Sequence, residues 1–368
     1  MIYLDYQATT PLAPEAREAM LRWLDGRAAN PHSPHRAGRE AAAAVELARE
    51  RIAAPLGDGR LIFTAGATEA ANTAIKGAMR QNPRRRLVTI ATEHACVLDT
   101  AEALAAEGCD VVVLPVGRDG LVDMDAATAA IDDRCALVSV MQVNNEIGVI
   151  QPIEALGALA KRAGALLHLD AAQGYGKLPI PRGVADFVSI SAHKIYGPIG
   201  IGALWMVEGQ SLPGLLHGGG QEAGIRSGTI SPALAAGFGA AAALAFARMD
   251  EDRAYVEALA KRLRAGLPGW VLNGAEHPRW PGNVNVRHDG VDAARLISEL
   301  RGLAFSAGSA CASGSGRPSH VLKAIDLSDP QARSSIRLGF GRYTTEDEIE
   351  QAAAMIRDGA ARQMEWAA

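Results

Sequence analysis

Apolar and polar residues fall into blocks whose period changes along the chain. From Arg60 onward, short apolar runs rich in Val, Ile and Leu recur at residues 61–64, 87–92, 111–116, 137–143, 166–170, 187–191 and 202–207. Stretches of helical period separate the first five of these runs, for instance 67–80, 97–107 and 153–163. Apolar runs without internal alternation mark strands buried on both faces, and strands alternating with helices build parallel βαβ units. The pattern predicts an α/β fold with a mostly parallel, seven-stranded sheet covered by helices.

The flanks read differently. Residues 1–13 look extended, and helical period follows at 15–24 and 38–56. Between those two lies AANPHSPHRAG, whose prolines keep it from being helical throughout. An Ala-rich helix is expected from 232 to about 249, continuing through AYVEALAKRLRAGL as a bridge between domains. Beyond it come strands near 270–273 and 283–287, a helix at 291–301, a Gly/Ser/Ala segment, a strand at 335–340 and a last helix from Thr345. That order is α+β. It predicts a large domain over 14–255 and a smaller one made of 1–13 and 256–368.

Composition narrows the picture. At 368 residues and 48% hydrophobic content the chain can bury a large core. A net charge of −4 without a basic block gives no nucleic-acid footprint. The apolar run at 233–247 is shorter than the roughly 18 residues of a membrane span, so a buried core helix is expected and no membrane contact. MIYLDYQATTPL lacks the charged and apolar regions of a secretory signal. Cys96, Cys109, Cys135 and Cys311 show no CxxC and no metal-ligand spacing, so no metal and a reducing, cytoplasmic setting are expected.

Candidate chemistry sits at strand ends, where open α/β sheets bind ligands. The run 166–170 ends on Asp170, and the run 187–191 ends on Ser191, with His193 and Lys194 directly after it. Lys194 is the candidate to hold pyridoxal phosphate, since a Schiff-base lysine needs desolvation or a neighbouring cation to become partly neutral. Ser191 and His193 can donate to a phosphate. Asp170 either caps the next turn or pairs with the pyridine nitrogen, keeping the ring an electron sink. In FTAGATE, Ala67 and Thr68 open a helix whose free N–H groups suit an anion, unless Thr68 is an ordinary cap. The cluster HGGGQEAGIRSGT is neither a Walker nor a Rossmann fingerprint, and can be a flexible loop.

His94 follows a strand end, where an imidazole can stack on a flat ring, shuttle protons or merely enter a helix. Asn144 and Asn145 are turn formers, or they orient a substrate carboxylate or a ring oxygen. Cys311 lies among small residues in SAGSACASGSG, as an exposed nucleophile or as a linker cysteine. The other three cysteines sit in or beside apolar elements, where inert burial is expected. Arg337 is a lone basic residue in an apolar strand and wants an anion, for which a substrate carboxylate is a candidate.

Together these stretches resemble the cysteine desulfurases of the class V aminotransferase group, which are fold-type I pyridoxal-phosphate enzymes. The similarity runs through YLDYQATTPL, NPHSPHRAGREA, FTAGATEAANTAIKG, TEHACVLDT, VNNEIGVIQP, HLDAAQGYGKLPI, SAHKIYGPIGIGAL, HGGGQEAGIRSGT, SAGSACASGS and SSIRLGFGR, in that order. It implies that Lys194 binds pyridoxal phosphate as a Schiff base and that Asp170 pairs with the pyridine nitrogen. Gln173 would bond the ring oxygen, and His94 would stack on the ring. Ala67, Thr68, Ser191 and His193 would hold the phosphate, with Thr229 contributed across a homodimer interface. Asn145 and Arg337 would take the carboxylate of L-cysteine, and Cys311 would accept the sulfur.

SAGSACASGS looks like the long, mobile-loop type of desulfurase, whose thiolate swings out to deliver a persulfide to an acceptor protein. The acceptor is left open between an iron–sulfur scaffold and a tRNA-thiolation relay, since scaffold-docking desulfurases carry a longer segment after Met364–Ala368. Within the same group the alternatives are a selenocysteine lyase or a small-molecule aminotransferase. From a different class, the alternative is a non-catalytic anion-binding or thiol-relay protein on the same fold.

Overall fold

The computed structural model describes residues 1–26, 28–307 and 319–367. Its strands are β1 (Ile2–Tyr3), β2 (Gly59–Thr64), β3 (Arg86–Ile90), β4 (Asp110–Leu114), β5 (Cys135–Met141), β6 (Leu166–Asp170), β7 (Phe187–Ser191), β8 (Gly202–Val207), β9 (Val271–Leu272), β10 (Asn283–Arg287), β11 (Leu303–Ala304) and β12 (Ser335–Gly339). One seven-stranded sheet has the order β2-β8-β7-β6-β5-β3-β4. Its strands run parallel except β8, which is antiparallel to both of its neighbours. The expected sheet is present.

Helices on both faces explain the continuous apolar runs, since β5 and β7 are buried at every position. Polar residues inside the sheet find partners. His168 on β6 lies between Ser139 Oγ at 2.8 Å and Ser189 Oγ at 3.1 Å.

The helix Pro232–Ala247 is apolar nearly all round because it packs against both Pro14–Leu24 and Arg36–Ala53. A side chain at Gly239 would meet Ala48 Cα at 2.8 Å, so glycine is what lets the two helices approach. The expected continuation into the next helix is not straight. Pro232–Ala247 and Met249–Ala265 meet at a bend of 73°. Arg248 leaves helical geometry there (φ −110°, ψ 7°), and Asp250, Glu251 and Asp252 open a new helix. Acids favour a helix N-terminus, so the sequence change from Ala-rich to charged marks a break rather than one bridge. Among the described residues no single helix is long and apolar enough to cross a membrane.

The rest of the chain builds a three-stranded antiparallel sheet, β12-β10-β9. Buried residues from Val256 to Ala360 pack with one another and with Leu4. The N-terminal segment ties the two sheets together. β1 pairs with β11, Gly339 N at the end of β12 donates to Leu4 O at 2.8 Å, and Thr10 N donates to His193 O just past β7 at 2.9 Å. Two short helices, His320–Ala324 and Asp329–Arg333, follow the Gly/Ser/Ala segment, most of which lies outside the described residues, in a stretch for which the sequence predicted no element. Ser319 caps the first, and a Ser328/Gln331 capping box opens the second, a signal the sequence does carry.

Candidate active site

The parallel strands end on one edge of the large sheet, and a cavity of about 1170 Å³ opens there. Ala67, Thr68, His94, Asn145, Asp170, Gln173, Ser191, His193, Lys194 and Arg337 all line it. Thr229 is exposed and is not among the lining residues of the single chain. Cys311 lies outside the described residues.

At one end of the cavity, Gly66 leads β2 into the helix Ala67–Gln81, whose first-turn N–H groups have no helical acceptors. Glu69 in that turn would oppose an anion, but its carboxylate is occupied. It accepts from Ala65 N at 2.7 Å and pairs with Arg226 at 2.9 Å. Ser191 and His193 approach from the end of β7. His193 Nδ1 lies 3.2 Å from Thr9 Oγ1, and burial, with Lys194 and Lys177 nearby, brings its pKa down to about 4. A neutral imidazole, a hydroxyl and a helix N-terminus together suit a phosphate.

Asp170 is buried at the end of β6 and accepts from Ala172 N at 2.9 Å. Burial raises its pKa, against the pull of His94 and Lys194. A carboxyl held in that state gains most from a cationic N–H donor, which a pyridinium supplies. His94 caps the helix Ala95–Ala106, its Nδ1 accepting from Cys96 N at 3.1 Å, and burial lowers its pKa. A neutral, flat ring is therefore held at the cavity wall. Lys194 Nζ donates to Gln7 O at 2.5 Å and Ala8 O at 2.8 Å. The cavity, its buried acid, its amine and its anion end thus fit pyridoxal phosphate.

Of the asparagine pair, Asn144 is the turn former. Its Oδ1 accepts from Glu146 N and Ile147 N at 2.8 and 2.9 Å. Asn145 lines the cavity, and its carbonyl accepts from Arg337 Nη1 at 3.1 Å. Arg337 is not the lone charge that its strand implies. It pairs with Asp5 at 2.7 Å and donates to Ser306 Oγ at 3.2 Å, while its buried Nε has no partner among the described residues. Asp5 stands 332 positions away in the chain, so no local pattern could reveal it.

The described residues on either side of the segment that bears Cys311 are held by acids. Ser306 bonds Asp5 Oδ1 at 2.9 Å, and Ser319 donates to the buried Glu146 carboxylate. Two groups in the site carry no signal in the sequence, and a third has an unexpected place. Gln7 and Ala8 supply carbonyls to Lys194, and Cys96, expected to be inert in an apolar element, lines the cavity next to His94. Burial pushes the Cys96 thiol far up, so it is no thiolate at neutral pH.

This fold and site define a pyridoxal-phosphate enzyme of the α/β transferase type. The aminotransferase class-V family model matches residues 2–352, and the chain belongs to that family of pyridoxal-phosphate-dependent enzymes. It is 44% identical over 368 residues to the cysteine desulfurase IscS of Rickettsia akari, covering 96% of this chain and 90% of that protein. It is 47% identical over 363 residues to a probable mitochondrial cysteine desulfurase of Schizosaccharomyces pombe, covering 95% of this chain and 72% of the relative. Among solved structures, a NifS-like protein superposes with a TM-score of 0.91 at 31% identity, covering 97% of this chain and 98% of its own.

Proposed function

We propose that this chain is a cysteine desulfurase. It converts L-cysteine to L-alanine and passes the sulfur, as a persulfide on Cys311, to an acceptor protein in iron–sulfur or thiolation chemistry. The observation that carries this reading is one cavity holding a buried acid and a lysine amine, Asp170 and Lys194, at the ends of adjacent strands. Bound pyridoxal phosphate supplies an electron sink that makes the substrate Cα–H acidic. Ala67, Thr68, Ser191 and His193 hold its phosphate, joined by Thr229 from a second copy of the chain. Asp170 would face its pyridine nitrogen, His94 its ring and Gln173 its ring oxygen.

Lys194 Nζ takes the Cα proton. Arg337 and Asn145 hold the substrate carboxylate, with the guanidinium shared between that carboxylate and Asp5. The Cys311 thiolate attacks the substrate sulfur, the Cβ–S bond breaks with its electron pair left on carbon, and alanine leaves once protons return.

On this reading residues 14–255 are the cofactor-binding domain, and 1–13 with 256–368 are the smaller domain that carries Cys311. Most of the buried residues that pack around Leu4 come from Val256–Ala360, with Val143 and Leu178 joining from the larger part, and this supports the division. The working unit is a homodimer in the cytoplasm. Ile199 on the cavity rim is 71% exposed and Leu216 is 43% exposed, apolar surface that a second copy would cover.

The test is spectroscopic first. Protein loaded with pyridoxal phosphate is expected to be yellow and fixed by borohydride, and Lys194→Ala to lose the band. Cys311→Ser is expected to keep the band and lose sulfide release. Sulfide release that survives Cys311→Ser overturns the assignment of the nucleophile, and colourless loaded protein overturns the whole reading.

A further inference from the structure

The turn after β6, DAAQGYGK, holds a second lysine that the proposed reaction does not use. Residues 171–177 coil tightly, with Tyr175 N on Ala171 O at 2.8 Å and Lys177 N on Gly174 O at 2.9 Å. Their spacing of four puts Lys177 against Gln173. Lys177 is buried, at 8% exposure, and no salt bridge of the described residues includes it. Its Nζ donates to Gln173 Oε1 at 3.2 Å and sits 5.9 Å over the Trp280 ring. A buried amine without a counter-ion is costly to keep charged. Burial, with the Lys194 charge added, brings its pKa down to about 7.

Gln173 is thereby held from both ends. Gln7 O can only accept, so the amide must turn its Nε2 toward it, at 2.9 Å. The Oε1 end is then left for Lys177. Of the two Nε2 hydrogens one goes to Gln7 O, and the other remains for a ligand in the cavity that Gln173 lines. The same Gln7 carbonyl receives Lys194 Nζ, so the two lysines are joined through one amide and one carbonyl.

We propose that Lys177 is a positioning residue for the ring oxygen of the bound cofactor, acting by fixing the Gln173 amide. The proposal rests on the reading of the cavity as a pyridoxal-phosphate site. A donor on the ring oxygen draws negative charge away from the neighbouring nitrogen on Lys194. Loosening that donor makes the nitrogen harder to deprotonate. The other titratable groups that act here are Asp170 and His94 on Lys194, and His193 beside both lysines.

The experiment titrates the visible band of the cofactor-loaded protein against pH, for the wild type, Lys177→Met, Lys177→Gln, Gln173→Ala and Lys177→Met/Gln173→Ala. Lys177→Met is expected to raise the midpoint by about half a unit to one unit, the size of one net hydrogen bond. Gln173→Ala is expected to raise it as well, and the double variant to match Gln173→Ala alone. Lys177→Gln keeps a donor for Gln173 without the charge, so its midpoint should return to that of the wild type.

An unmoved midpoint in Lys177→Met overturns the proposal. So does a full shift in Lys177→Gln, or additivity in the double variant, since either means that Lys177 acts by charge and not through Gln173. If Lys177→Met fails to fold, Lys177→Gln and Gln173→Ala decide the matter. A full shift in the first, or none in the second, overturns it. Absence of any visible band in the wild type is a different failure, that of the site reading itself.

Discussion

His168 shows what a single residue can and cannot announce. In the sequence it is one polar letter in the apolar run ALLHLD. In the sheet it spans β5 to β7 through Ser139 and Ser189, and burial takes its pKa down to about 3. Its partners depend on which strands are neighbours, and no local pattern contains that. The sign of its effect follows from linkage. The unfolded chain takes up a proton near pH 6.5 on His168, while the folded one resists until about pH 3. Stability is therefore lost as pH falls through that window, and His193, brought down to about 4, acts in the same direction. Urea midpoints of the cofactor-free protein should fall steadily from pH 7 to pH 4.5, and His168→Asn should make the fall shallower by about one proton's worth. An unchanged slope in that variant contradicts the assignment.

Arg337 makes the second residue-scale prediction. Its fork is fixed by Asp5 and the Asn145 carbonyl, a geometry that an ammonium cannot reproduce. Arg337→Lys should raise KM for L-cysteine about tenfold or more while leaving the visible cofactor band in place. An unchanged KM removes Arg337 from the substrate site.

At the scale of elements, the sequence was most legible where a single face or period decides. The strands of the large sheet are continuous apolar runs, and their ends carry Asp170 and Lys194 where such sheets bind ligands. Less legible was the 73° bend at Arg248, where the chain passes from an Ala-rich to a charged stretch without a Pro or Gly to mark the break. Close approaches were not legible at all. Gly202, which starts β8, lies under the loop at the proposed phosphate end of the cavity. A side chain there would meet Gly66 Cα at 2.7 Å and Ile190 O at 2.6 Å. Neither neighbour is a flexible side chain, so the loop must move. Gly202→Ala is expected to weaken cofactor binding about tenfold or more and to lower the melting temperature, read by fluorescence titration and thermal unfolding. Wild-type affinity in that variant would show that the loop before Ala67 does not set the phosphate site.

For the whole molecule, the N-terminal segment matters more than its length implies. It pairs with β11, salt-bridges β12 through Asp5 and offers Gln7 O and Ala8 O to Lys194. Read along the chain it is only an extended stretch with turn signals, because every partner that gives it a role lies far away in sequence. The proposed homodimer makes a prediction at this scale. Light scattering should give twice the mass of the chain, and Ile199→Glu should shift the mass toward the monomer while weakening cofactor retention. A wild-type monomer that retains cofactor contradicts the role given to Thr229.

The cavity edged by Asp170 and Lys194 is proposed to serve sulfur removal. Purified protein mixed with pyridoxal phosphate, L-cysteine and a thiol reductant should release alanine and sulfide in equal amounts, and both should vanish in Lys194→Ala. Alanine without sulfide, sulfide without alanine, or neither product from fully loaded protein would contradict it.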